Sequence, residues 1–351
     1  MEQSVVNPRI TRFTINLFLF CMVIYILVVA KNFLVPIAWA LLISLASLKF
    51  LERMHKKLQI KWGFLIIIHL LVVLFIILGV VTFLFAEVKS IIDNSPEIDE
   101  KILVLDQGFR AWLTGLGVDT DELFNLKSLA KRLSEFSQYL VQFVGNVGQV
   151  FGDIFLSLIY SFFFLFYKDI LQRFFIMKYS DRAKLKRIRG IADTSLSVIS
   201  DYLFGTLIMT VLMGIMIYVL LLLLGIRYAL FWAVFAAVLN LIPYIGNAIA
   251  LVALGAYTLL TKDSLWYPVL AIGVLFFTNA VQENVLRPMI VGDKLNLNAL
   301  TVFISVVAGG ILWGVTGMIV FLPIVGIIKI ILENSEKNRP YSLFFGEPKS
   351  P

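Results

Sequence analysis

The chain has 351 residues, enough for one large domain or two ordinary ones. It is 60% hydrophobic and 15% charged, with a mean hydropathy of +0.92, where a soluble chain carries about 45–50% apolar and about 25% charged residues. That composition excludes a water-soluble fold, and the net charge of +7 reads as the basic loops of a membrane protein, with no nucleic-acid partner.

The rare residue types exclude most chemistry. Cys21 is alone in an apolar run, so no internal disulfide can form, and the thiol is expected to be inert packing. His55 and His69 are too isolated to build a zinc site. No H-E-x-x-H pattern and no P-loop pattern occur. No metal, no cofactor and no enzymatic activity are expected; an intramembrane hydrolase would need an acid pair, a Ser/His pair or metal ligands.

Eight apolar runs follow in chain order: 15–30, 33–48, 62–86, 147–167, 206–224, 229–260, 265–281 and 299–332. About 20 apolar residues cross a bilayer as a helix. The runs are continuous rather than alternating, which excludes a β-barrel. The expected fold class is an all-α polytopic membrane protein with about six full transmembrane helices and two re-entrant or broken helical hairpins in an inverted repeat. The expected organisation is an N-terminal three-helix membrane region (1–86), an extracytoplasmic helical insertion (87–145), and a fourth helix with a basic cytoplasmic segment (146–205). A transport unit (206–334) and a C-terminal tail (335–351) complete it.

Charge predicts the orientation. Basic residues cluster before the first run, at Lys49, Arg53, Lys56, Lys57 and Lys61, and again between Lys168 and Arg189. These regions are expected in the cytoplasm, with both termini. The segment 87–145, with ten acids and six bases, then lies outside. Within it, Ile102 to Leu116 and Leu126 to Phe143 repeat apolar residues at spacings of three and four, which predicts two amphipathic helices that pack on each other or on a neighbouring subunit. The basic segment after Tyr167 places Leu185, Ile188, Ile191, Ala192, Leu196 and Ile199 on one helical face, able to lie on anionic lipid.

Two runs are too long for one helix. The run 229–260 would measure ~48 Å as a helix, and its middle holds Asn240, Pro243, Tyr244, Gly246 and Asn247. The run 299–332 would measure ~51 Å, with Gly309, Gly310, Trp313, Gly314 and Gly317 at its centre. Hairpins are preferred to kinked helices, because they give two helix-then-hairpin units of opposite orientation, a transporter pattern. Between them, Asn279, Gln282, Glu283 and Arg287 fall at spacings that let them share a face, and Glu283 and Arg287 could pair. Pro288 is expected to end that helix.

Three motifs carry a resemblance. Asn240-Leu-Ile-Pro-Tyr-Ile-Gly246, Gln282-Glu-Asn-Val-Leu-Arg-Pro288, and Ala308 through Gly317 with Pro323 resemble the autoinducer-2 exporter family of bacterial membrane permeases. The resemblance implies a bacterial inner-membrane permease, a homo-oligomer (a pentamer), and elevator-like movement of the hairpin unit. It implies export of a furanosyl signal or sodium/proton antiport. At the matched positions, Pro243, Gly246, Pro288, Gly309, Gly310, Gly314 and Gly317 are expected to shape the hairpin tips. Asn240, Tyr244, Asn247, Asn279, Gln282 and Glu283 are expected to bind the solute or ion. The expected function is export of a small polar molecule. The alternatives are a cation/proton antiporter, which would use Glu283, and a non-transporting membrane scaffold.

Overall fold

The computed structural model of the chain describes residues 8–93, 147–170, 173, 182–292, 295–335 and 338–346. The two amphipathic helices expected within 102–143 lie outside the described residues. In chain order the helices are α1 (Pro8–Val29), α2 (Lys31–Leu58), α3 (Trp62–Asp93), α4 (Val147–Phe166) and α5 (Arg182–Leu223). Then come α6 (Ala229–Leu239), α7 (Ile245–Thr261), α8 (Trp266–Val281), α9 (Ala299–Glu333) and α10 (Arg339–Ser342). Among the described residues a single antiparallel bridge, Leu297 to Gly346, is the whole of the β structure.

Six helical runs among the described residues are long and apolar enough to cross a bilayer: 11–29, 31–58, 62–91, 189–223, 266–290 and 299–333. The chain is therefore an all-α polytopic membrane protein. Two elements differ from expectation. The basic segment and the fifth apolar run form one 42-residue helix, α5. It contains no proline, and none of its glycines adopts a positive φ, so nothing interrupts the hydrogen-bond ladder. Cys21 is exposed on α1 rather than packed.

The chain divides into two compact units. The first comprises Met1–Gly63, Asp153–Ser200 and Leu295–Pro351. Lipid supplies no hydrophobic drive for helices to associate, so small residues and interhelical hydrogen bonds do the joining. Here Ser44 Oγ donates to Ser161 O at 3.3 Å and Ser161 Oγ to Ala40 O at 3.1 Å, tying α2 to α4. Lys49 Nζ donates to Ser197 Oγ at 2.9 Å, tying α2 to the first part of α5. At the end of α2, His55, Lys56 and Lys57 sit where the helix dipole favours positive charge.

The second unit comprises Phe64–Gly152 and Asp201–Lys294. Its core joins Met213, Ile217 and Leu221 of α5, Trp232, Ala233 and Ala236 of α6, Ala250 and Leu254 of α7, and Ala271 and Leu275 of α8. The small residues let backbones approach: a Cβ on Gly214 would lie 3.3 Å from that of Ala237.

Both over-long runs fold back on themselves. In the second unit, Trp232 of α6 lies 5.0 Å from Tyr257 of α7 between ring centroids, and Lys262 Nζ donates to Gly225 O at 2.8 Å. The two ends of this run meet, and its turn falls at 240–244. In the first unit, α9 breaks at Trp313 (φ −130°, ψ 15°) and Gly314 (φ 61°, ψ −143°). Lys329 Nζ, near the end of α9, reaches the carbonyls of Leu295 (3.0 Å) and Asn296 (2.6 Å), just before its start. A straight helix would hold these points ~50 Å apart, so each run is a helical hairpin and not a kinked rod.

Candidate functional site

The first hairpin tip is built by residues that cannot continue a helix. Pro243 has no backbone donor, and Tyr244 adopts φ 63°, which is costly for a bulky residue. Gly246 is buried, and a Cβ there would run into the Leu239 carbonyl, so only glycine lets α7 start so close to the end of α6. Asn240 follows α6, and its side chain points across the unit to α8.

The segment that continues α8 is irregular. Five residues, Gln282–Leu286, form a π turn, in which the Arg287 N–H bonds to Gln282 O. The helix then runs on through Arg287–Ile290. Pro288 therefore does not end it, against expectation. The widened turn ahead of Pro288 absorbs the missing donor and the ring's clash with the preceding turn. The stop comes instead at Gly292, whose φ is 59°. Single π turns of this sort recur at functional sites.

This geometry gathers a polar chain. Asn240 Nδ2 donates to Gln282 Oε1 at 2.8 Å. Gln282, 4% exposed, makes a long contact from Nε2 to Glu283 Oε1 at 3.5 Å. Arg287 Nη2 donates to Glu283 Oε1 at 2.7 Å, and its Nε lies 2.7 Å from Oε2. Both partners are about half exposed, and the pair spans one helical turn. Its effect is to fix the carboxylate. Tyr202 of α5 and Tyr244 lie in the neighbourhood of the Arg287 guanidinium. One turn back, Asn279 Oδ1 is buried and has no hydrogen-bond partner among the described residues.

The second hairpin is shaped by glycines. Gly309 and Gly317 cross backbone to backbone, and a Cβ on either would enter the other's carbonyl. Gly310 faces the Met318 side chain, 2.7 Å from a built Cβ. Gly314 forms the tip at φ 61° and faces open space. Trp313 Nε1 donates to Leu27 O at 2.9 Å, and Trp39 Nε1 to Thr316 Oγ1 at 3.2 Å, pinning the tip to α1 and α2.

The family model for AI-2E family transporters matches residues 15–337. The chain belongs to the AI-2E transporter family. This AI-2E member is 26% identical over 297 residues to YueF of Bacillus subtilis (strain 168), an inferred transport protein, covering 81% of this chain and 78% of that one. An inferred transport protein of Haemophilus influenzae is 35% identical over 111 residues, 31% of each chain. The AI-2 transport protein TqsA of Escherichia coli (strain K12) is 35% identical over 100 residues, 28% of this chain and 29% of that protein.

Of the residues singled out by sequence, Asn240, Gln282, Glu283 and Arg287 are joined directly, with Tyr244 at the tip and Asn279 one turn away. Asn247 lies on the first turn of α7, outside that chain of contacts. Tyr202 was missed, because nothing marks a lone tyrosine in the stretch just ahead of the fifth apolar run. Lys329 was also missed. Its signal was legible: a single lysine among the apolar residues that close a membrane run needs polar partners. It is 3% exposed and finds two carbonyls, with Glu333 at 3.4 Å.

Proposed function

We propose that this AI-2E family member carries a small polar solute across the bacterial inner membrane, outward, by an elevator-type movement of a hairpin-bearing unit. The observation that carries this reading is the buried Asn279 Oδ1, left without a partner among the described residues beside the Asn240–Gln282 hydrogen bond at a helical break. A buried polar group without a partner costs roughly 1–3 kcal/mol. A solute that donates a hydrogen bond there recovers that cost while bound. Broken helices at membrane depth are tolerated where they line such a site. The hairpins would then be re-entrant, and the assembly a homo-oligomer, a pentamer by the family resemblance.

An autoinducer-like solute, rich in hydroxyl donors, fits this requirement, and the family and its relatives' names support transport. The cation/proton antiport reading needs a carboxylate open to a cation, and Glu283 is already engaged by Arg287 at 2.7 Å. The test is flux in proteoliposomes over a panel of small polyols and furanosyl solutes, with and without sodium and proton gradients. Solute flux that falls at least tenfold in Asn279→Leu is expected. Sodium-for-proton exchange with no solute flux would replace this reading with the antiporter.

A further inference from the structure

A cleft of about 370 Å³ opens at the tip of the second hairpin, within the first unit, and no role assigned so far uses it. It has the volume of roughly twelve liquid waters. Its charged groups are Lys31, at the start of α2, and Asp153 of α4. Asn32 adds an amide, and Pro36 and Trp313 add apolar wall around the Gly314 backbone. Trp313 is fixed in place by its bond to Leu27 O at 2.9 Å and by an edge-on contact with Phe321 at 5.5 Å. The wall is thus set before any ligand arrives, which lowers the cost of binding.

The charges are the decisive feature. Lys31 and Asp153 line the same cleft, yet they form no ion pair with each other or with any described residue. Both side chains are exposed, and a ligand of one sign would pair with one group and meet the like charge of the other. A ligand carrying an ammonium and an anionic group would satisfy both. Gly314 adds to this. Its backbone, at ψ −143°, leaves the helical ladder, and a Cβ there would meet nothing within 4 Å, so the chain borders the cleft with no side chain in the way. The turn between α1 and α2 joins two helices long enough to cross a bilayer, so the cleft beside it is expected near the membrane surface.

We propose that this cleft binds a small zwitterion, its anionic group on Lys31 and its ammonium on Asp153. The zwitterion can be a free solute or the headgroup of a zwitterionic lipid. The site is independent of the solute path proposed at Asn279.

The experiment uses the full-length protein in detergent. Calorimetric titration compares glycerophosphoethanolamine with ethanolamine, which has only the cation, and glycerol 3-phosphate, which has only the anion. The zwitterion is expected to bind at least tenfold more tightly than either. Lys31→Met should reduce it to the ethanolamine affinity and abolish glycerol 3-phosphate binding. Asp153→Asn should reduce it to the glycerol 3-phosphate affinity and abolish ethanolamine binding. Lys31→Arg and Asp153→Glu should retain binding within about threefold, which separates lost charge from lost fold. Equal affinity for all three probes, or zwitterion binding unchanged in both neutral variants, overturns the proposal. A second arm places the protein in nanodiscs of phosphatidylethanolamine or phosphatidylglycerol and reads lipid retention by native mass spectrometry. Retention of phosphatidylethanolamine that is lost in both neutral variants assigns the site to lipid. Glycerophosphoethanolamine binding without such retention assigns it to a soluble zwitterion.

Discussion

Asn240 and Gln282 stand 42 positions apart and share a 2.8 Å hydrogen bond. Interhelical hydrogen bonds inside membranes contribute about 0.6–1.7 kcal/mol. A double-mutant cycle of Asn240→Ala and Gln282→Ala, followed by unfolding in mixed micelles, should show a coupling in that range. Additive effects would mean that the two side chains act separately. The glycines of the second hairpin rank by what a methyl group would strike. At Gly309 it would strike backbone, and at Gly310 the end of a flexible methionine. Gly309→Ala should therefore destabilise by about 1–3 kcal/mol or more, and Gly310→Ala by less than about 1 kcal/mol. Thermal shift assays of the two variants check the order. The spacing of Glu283 and Arg287 announced their ion pair, but spacing could not tell which glycine meets main chain and which meets Met318. That distinction depends on where the chain folds back, a long-range fact.

At the scale of elements, run length was the informative signal. Runs of 32 and 34 residues exceed one crossing, and Pro243 and Gly314 sit at or beside the two turns. The π turn was not legible, because Gln282–Leu286 has ordinary helical composition and Pro288 looked like a stop. The continuity of α5 was hidden by the change from basic to apolar composition near its middle, which alters what surrounds a helix and not its backbone. Gly225 O accepts from Lys262, so on the proposed re-entrant reading both ends of the first hairpin are expected on one side of the membrane. In a Cys21→Ser background, Arg227→Cys and Asp263→Cys should react together with an impermeant maleimide in intact cells, whereas Lys57→Cys should react only after permeabilisation. Labelling of Arg227→Cys and Asp263→Cys from opposite sides would sink the re-entrant reading. At the base of the second hairpin, Lys329→Ala would strip the Leu295 and Asn296 carbonyls of their donor. A loss of about 1–3 kcal/mol is expected, read as a lower melting temperature.

For the molecule as a whole, composition alone gave the class: a chain this apolar has to live in lipid. The partition into two units was not legible in advance, since each is assembled from segments far apart in sequence. Each unit carries one hairpin. None of the α1 window that qualifies as a membrane span is buried among the described residues, although Leu27 O near its end accepts from Trp313. Native mass spectrometry from mild detergent should show a homo-oligomer, a pentamer on the proposed reading. A monomer there and in cross-linked native membranes would rule that assembly out.

The crossing of Gly309 and Gly317 has a bearing on descent. Each would-be side chain meets the other's main chain, so no change at the opposite position can make room for it. Compensating substitutions, the usual route by which packed pairs drift apart over time, are closed to these two sites. Lineages that exchange one transported solute for another would be expected to rewrite the polar positions around α8 while inheriting this pair unchanged. The pair would then serve as a tracer of common ancestry and carry no information about cargo.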